Sequence, residues 1–542
     1  MTFVQNLPLI MLLLLWTVIF IAALTLYFRR VYSRFSKHGV KHFRPIPLLG
    51  NMARIVLRLD HMAHDLNRYY NSFPDERFVG QYEFLKPILI IRDLKLIKQI
   101  AVKDFEYFLD HRTMVDQDND PFFGRNLFSM KGQEWKDMRS TLSPAFTSSK
   151  MRLMVPFMVE AGEQMIQALK TKIQDTKGHY IDVDSKELTT RFANDVIASC
   201  AFGIKLNSHK EENNEFYQKG KDAAQFNFVQ FIKFIAFNSF PMIMKVLKIR
   251  FFSSKTSSFF ENLVRDTMIY REQHNIIRPD MIHLLMEAKK GKLSHDNGVT
   301  RDANAGFATV EESSVGRNVV DRAWSENDII AQAAIFFIAG FEGVSTIMSL
   351  ALHELAINPD VQENLVEEIR ENNARNEGKF DYNSVQNMKY LDMVVSEVLR
   401  LWTPAVGFDR ICVKDYNMGK PNSKATEDYI IRKGEGIMIP AWAFHRDPKL
   451  FPDPLKFDPE RFSEENKHNI VPSSYLPFGI GPRNCIGSRF ALCELKVMLY
   501  QVLQHIEVTP CDRTPVPAEL ATGTFNIRIK GGHWVRLKVR QS

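Results

Sequence analysis

The sequence is poor in cysteine. Five are present in 542 residues, Cys200, Cys412, Cys485, Cys493 and Cys511. Their number is odd and their spacing irregular, which excludes a disulfide framework and points to a reducing compartment. No two stand at C-x-x-C spacing, which argues against zinc. Charge of one sign is not in large excess: 70 Lys and Arg against 63 Asp and Glu leave a formal net charge of +7. That balance suits an anionic membrane surface or an acidic partner. There is no basic–aromatic array of the kind that reads nucleic acid. Long apolar runs are scarce as well. Pro8 to Phe28 carries no charged side chain over about twenty residues, the length that crosses a bilayer. No basic region precedes it and no small-residue cleavage site follows, so an anchor is expected rather than a cleaved signal peptide. Arg29, Arg30, Arg34 and Lys37 follow at once, while Met1 to Leu7 has no side-chain charge. The positive-inside rule then places the N-terminus outside and the rest in the cytosol. A basic linker and FRPIPLLGN come next, with Pro45 and Pro47 stiffening the entry to the globular part.

What is present is concentrated in one stretch, Pro477 to Gly487 (PFGIGPRNCIG). Gly479, Gly481 and Gly487 let the backbone turn tightly and approach a flat ligand. A helical pattern begins just after, so the positive end of a helix dipole favours the Cys485 thiolate. A lone soft ligand suits a metal whose in-plane ligands come with a cofactor, namely haem iron.

Phe478, Gly481, Arg483, Cys485 and Gly487 fit F-x-x-G-x-R-x-C-x-G, and the run resembles the haem-thiolate signature of the cytochrome P-450 superfamily. Further stretches resemble that family in the same order. Trp135 and Arg139 stand four apart on one helix face; the resemblance implies that they, with Arg410, hold the haem propionates. Glu397 and Arg400 form its E-x-x-R, and Arg461 lies in its P-E-R-F at 459–462. Forked charge-assisted bonds suit a buried carboxylate shared by two arginines, and the implied role is structural.

The longest helical pattern runs from Ser325, which can cap it with Asp328, to Pro359. At about 1.5 Å per residue it spans roughly 50 Å. Ala339, Gly340 and Glu342 match the family motif (A/G)-G-x-(D/E)-T-(T/S), but Gly343 stands where the family has its alcohol. Gly340 and Gly343 are expected to leave a groove against the cofactor. Ser345 or Thr346 could supply the missing hydroxyl, with Glu342 the nearest acid for proton delivery. Pocket walls implied by resemblance are Phe122, Phe123, Phe337, Ala339, Val406, Phe408 and Phe525. Residues 224–260, rich in Phe and Met, resemble the access-channel and membrane-dipping helices. Residues 290–324 read as a polar linker. Strands are expected in RFVGQYEFLKPILIIRD and in YIIRKGEGIMIP, and a final hairpin in LATGTFNIRIKGGHWVRLKVR.

The resemblance implies a mainly α fold with small β-sheets (α+β): an anchor over 1–28, a basic linker and Pro-rich hinge over 29–47, and one catalytic domain over 48–542. HFRPIPLLGN, RSTLSPAFTSSKM and FFIAGFE most resemble insect clan-3 microsomal enzymes of the family-nine type. That likeness implies an O2-activating monooxygenase of lipophilic compounds in the endoplasmic reticulum membrane, with haem b as cofactor. Electrons would come from NADPH through cytochrome P-450 reductase, with cytochrome b5 a second donor, and Lys131, Lys136 and Lys496 are expected to form the basic face toward the reductase. Two other readings are weighed: a reductase-independent isomerase or dehydratase of lipid hydroperoxides, and a haem- or lipid-binding protein without turnover.

Overall fold

The computed structural model describes residues 7–541 except 113, 114, 116, 225–227, 291–305, 311–314, 316–321, 379 and 525. Most of the expected polar linker over 290–324, and Phe525, lie outside the described residues.

The chain opens with helix α1 (Leu7–Val31). Two strands follow, β1 (Phe78–Glu83) and β2 (Lys86–Ile91), paired as an antiparallel hairpin. Between α1 and β1 the chain packs onto the globular part: Phe35 and Val40 are buried, and Arg34 forks onto Glu435 at 2.6 and 3.0 Å. Helices α2 (Gly132–Leu142) and α3 (Ser148–Gln174) lead to strand β3 (Tyr180–Asp184) and helix α4 (Ser185–Ile197). Helices α5 (Phe228–Ser239) and α6 (Pro241–Val246) come next.

The centre of the molecule is α7 (Glu326–Ile357). Its start is the expected reciprocal cap: the Ser325 hydroxyl accepts from the Asp328 N–H, and the Asp328 carboxylate accepts from the Ser325 N–H. By length and apolarity α1 and α7 are alike, and burial separates them. The apolar window of α1 is 0% buried and that of α7 72% buried, as a helix apolar on all sides requires in a protein core. Within α7, Ala339–Val344 forms a π-helical segment. The expected single α-helix is therefore interrupted at the motif residues, where such widened turns often mark a functional site.

After α7 come α8 (Lys389–Leu401), β4 (Phe408–Ile411), β5 (Gly436–Ile439), α9 (Ser488–His505), β6 (Ile506–Thr509) and β7 (Trp534–Val539). One sheet has the order β1-β2-β5-β4, with β2 and β5 parallel; another has β3-β7-β6. The final stretch departs from the expected hairpin. β7 pairs with β6 and β3, while residues 519–530 fold back on themselves through a Leu520–Ile529 bridge. The fold is mainly helical with small sheets, and α9 packs along α3 and against the π segment of α7.

Candidate active site

The cysteine loop is fixed by its own backbone. The Cys485 N–H donates to the Phe478 carbonyl at 2.9 Å, and Gly479 and Gly481 take positive φ. Cys485 is in no disulfide and presents its side chain at an accessible face. Arg483 ties the loop to the chain ahead of α2. It donates to the carbonyls of Leu109 (2.8 Å), Leu127 (3.2 Å) and Met130 (2.8 Å) and approaches Asp110, while its guanidinium lies 3.9 Å over the Trp135 ring. From α2, Arg139 donates to the Asn484 carbonyl (2.7 Å) and side-chain oxygen (2.8 Å). The loop thus sits between α2 and α7: the Phe146 ring lies beside Gly487 and packs edgewise on Phe336.

The loop is also carried by the Glu397 cluster. Arg400 forks onto Glu397 at 2.6 and 2.8 Å, both side chains fully buried. Arg461 approaches the same carboxylate at 3.4 Å, and the Asp458 N–H donates to it at 2.9 Å. Sequence reasoning missed the link to the cysteine loop. His445 accepts the Leu476 N–H on Nε2 (2.8 Å), so the proton is on Nδ1, which donates to the Arg400 carbonyl (3.1 Å). Burial and the neighbouring arginines push this imidazole down to about 3. It is neutral at physiological pH, as its two hydrogen bonds require. The HRDP run around it was the available signal.

α7 presents three different faces. One carries Phe336, Ala339 and Gly343, at the i, i+3, i+7 spacing of a helix face. Ala339 is exposed although it lies in mid-helix, and a Cβ at Gly343 would meet nothing within 4 Å. A second carries Phe337 and Phe341 into a phenylalanine cluster with Phe202, Phe216 and Phe260. Phe337 is thus in packed core and not beside Ala339. Phe122 and Phe123 are likewise buried, packed on Phe252 and Phe251. A Cβ at Gly340 would meet Ile197 at 2.2 Å, so this glycine seats α4 and only Gly343 keeps a groove. Val406 is buried, and Phe408 lies beside Gly479.

The third face carries the polar residues. Glu342 accepts from Arg528 (2.6 Å), Asn526 (2.9 Å) and Thr346 (3.2 Å), and Lys186 stands 3.3 Å away. Burial pushes this carboxyl up, to about 8, against the hydrogen bonds from Thr346 and Asn526. The two cations act in the same direction as those bonds. Thr346 is therefore a hydroxyl held on Glu342. Ser345 is not available to replace an alcohol at Gly343: it donates to the Phe341 carbonyl and accepts from Lys186, both at 2.5 Å.

The residues fit a haem. Arg139, Arg410 and Arg483 are buried, and burial, with the charges of Arg410 and Arg139 close by, lowers the affinity of Arg483 for its proton. Among the described residues no carboxylate pairs with Arg410, which contacts only the Asp409 carbonyl (2.6 Å). Burial pushes it down to about 10. Asp409 itself is occupied by His111 and Arg112. An excess of buried guanidinium suits two propionates, and the accessible sulfur and the small residues of α7 suit a flat ring. Of the residues expected to form a basic face, Lys496 is not at the surface. Lys496 is 1% exposed and paired with Asp392 at 2.8 Å, and Lys136 is paired with Glu106 at 2.6 Å.

A lone cysteine on a glycine loop, a long helix thinned to Ala and Gly, and arginines for two carboxylates together describe a haem-thiolate protein. The cytochrome P450 family profile matches residues 40–534, and the chain belongs to that family, whose members are haem-thiolate monooxygenases. It is 45% identical to cytochrome P450 9e2 of Blattella germanica, over 93% of this chain and 94% of that protein. It is 42% identical to probable cytochrome P450 9f2 of Drosophila melanogaster, over 93% and 95%. Cytochrome P450 6k1 of Blattella germanica is 36% identical over 93% and 92%.

Proposed function

We propose that this enzyme is an NADPH-dependent monooxygenase of lipophilic small molecules, held in the endoplasmic reticulum membrane with its N-terminus lumenal and its catalytic domain cytosolic. Electrons come from cytochrome P-450 reductase, with cytochrome b5 a second donor. Plant toxins, insecticides and endogenous lipids are the substrate classes. The observation that carries the reading is the placement of Cys485 and the buried arginines with the open Ala339–Gly343 face of α7. Haem would be held there through the Cys485 sulfur, and would supply dioxygen activation and the insertion of one oxygen atom. Arg139 and Arg410 bind the propionates. Phe478, Arg483 and Trp135 fix the loop, and Glu397, Arg400 and Arg461 hold the scaffold under it. Phe336, Ala339 and Gly343, with Val406 and Phe408, orient the substrate. Glu342 and Thr346 hold the proton source.

Gly343→Thr tests the departure from the family motif. The added Cβ meets no protein atom within 4 Å and restores the family's alcohol, so the variant should form more product per NADPH consumed. Unchanged coupling would show that Thr346 or water already does this work.

Membrane residence has support beyond α1. Met242 (75% exposed) and Val246 (76% exposed) stand out on α6 with Ile243, and Leu247 just after it is exposed too. Ile46, Leu48, Leu57 and Leu59 are exposed on the segment that packs against α5 through Met52, Ile55, Phe231 and Ile235. Such a patch on a protein with a spanning helix lies in the lipid interface. A spin label at Val246 of the full-length protein in bilayers should be shielded from a water-soluble relaxant. One at Ile277, 83% exposed, should not. Equal accessibility would sink the assignment.

A further inference from the structure

The expected polar linker carries an anchor. Within it, residues 306–310 (Gly-Phe-Ala-Thr-Val) lie against the start of α8 and the chain that leads into the cysteine loop. The Phe307 N–H donates to Asp392 Oδ2 at 2.8 Å, and the Thr309 N–H closes a tight turn on the Gly306 carbonyl at 2.9 Å. A Cβ at Gly306 would lie 1.7 Å from Asp392 Oδ1. Lys496 of α9 holds that carboxylate at 2.8 Å, so a side chain at 306 would push the segment away. Ala308 is buried. The Phe307 ring meets Phe462 with centroids 5.0 Å apart and Tyr475 at 5.5 Å, and those two rings meet each other at 5.1 Å. A backbone bond, a turn, a close approach that needs glycine and an aromatic seat fall within four consecutive residues. That is a built contact and not the passing touch of a spacer. A lone phenylalanine in a polar stretch has no periodicity to mark it in the sequence.

Both seats lead to the cysteine. Phe462 follows Arg461, which reaches Glu397. Tyr475 stands two residues before Pro477. Its hydroxyl donates to the Ser396 carbonyl of α8 at 2.9 Å, and its ring stacks on His445 with centroids 5.5 Å apart. His445 accepts the next N–H along the chain, that of Leu476, and the Cys485 N–H closes the loop on the Phe478 carbonyl. We propose that Phe307 is a positioning residue for Cys485: residues 306–309 dock in a slot formed by α8, Phe462 and Tyr475, and the Phe307 ring holds the entry to the cysteine loop in register with His445. The slot takes a glycine, an aromatic ring and a small residue in that order, and this chain's own linker presents them. The linker is therefore a support of the cysteine loop, beside the Glu397 cluster, Arg139 and Arg483.

Hydrogen–deuterium exchange of the full-length holoenzyme tests this. In the wild type the Phe307 and Thr309 amides should exchange slowly. In Phe307→Ala the Leu476 and Cys485 amides should exchange about tenfold faster, the size of effect that two lost aromatic pairs can supply. The ferrous carbon monoxide complex of that variant should also lose its thiolate-type absorption band faster on standing. Phe307→Tyr keeps the ring and can turn its hydroxyl to solvent, since the residue is 37% exposed; it should restore both readouts. Gly306→Val displaces the same segment without touching the core, should act in the same direction as Phe307→Ala, and decides the matter if Phe307→Ala does not fold. Fast exchange at Phe307 in the wild type, or unchanged exchange at Leu476 and Cys485 in the folded variants, overturns the proposal. So does acceleration shared equally by the paired strands β3 and β7, which would mark a general loss of stability and not a hold on the cysteine loop.

Discussion

Glu397→Ala should abolish accumulation of folded, haem-loaded protein. Glu397 and Arg400 are both 0% exposed and joined by two bonds of 2.6 and 2.8 Å. Removing the carboxylate strands a guanidinium in the interior, at a cost of about 3–5 kcal/mol. That is a large share of the roughly 5–15 kcal/mol by which folded domains are stable. Arg400 would keep its bonds to the His445 and Pro454 carbonyls, but these satisfy hydrogens and do not neutralise charge. The damage should reach the cysteine loop, because Arg400 holds His445, and His445 holds the Leu476 N–H ahead of Pro477. Haem content and the thermal unfolding midpoint of the purified variant are the checks. The double variant Glu397→Met/Arg400→Met should lose less stability than the two single changes added together, since it buries no unpaired charge. A single Glu397→Ala protein with normal haem content and midpoint would show that the cluster is not needed.

Gly481→Ala should displace the cysteine loop. Gly481 has φ +75°, and a Cβ there would lie 1.9 Å from the Ala101 carbonyl oxygen. The left-handed conformation alone costs a non-glycine residue about 1–2 kcal/mol. The obstacle is backbone, so no rotamer change relieves it. The loop must move off residues 101–102, and the Cys485 sulfur moves with it. Gly487→Ala is the control: its Cβ would meet only Phe146, at 3.7 Å, an ordinary contact at a residue without positive φ. The first variant should lose haem on purification and the second should retain it. Equal retention would contradict the close approach on which the argument stands.

The parts legible in the sequence were those with a local pattern. The cysteine loop declares itself through one ligand, three glycines and an arginine within eleven residues. Glu397 and Arg400 declare themselves through helical spacing, and the start of α7 through Ser325 and Asp328. What could not be read has no local pattern. A π segment shifts backbone hydrogen bonding by one residue and leaves apolar spacing almost unchanged, so α7 looked like one continuous helix. Lys186 and Arg528 lie 156 and 186 residues from Glu342, and only the packing of α4 and of the 519–530 loop brings them there. Phe337 and Phe336 are neighbours in sequence, but one turns into the phenylalanine cluster and the other toward the cysteine loop. Lys496 failed as a surface cation because α9 is buried along its length, and Asp392 pairs with it inside.

The most direct test of the functional claim supplies the full-length protein in membranes with NADPH, cytochrome P-450 reductase and dioxygen labelled with heavy oxygen, over a panel of lipophilic probes. A monooxygenase should place one labelled atom in the product and send the other to water, and product formation should stop when NADPH or the reductase is left out. Rearrangement of lipid hydroperoxides without NADPH, with no labelled atom in any product, would contradict the account and identify an isomerase or dehydratase instead.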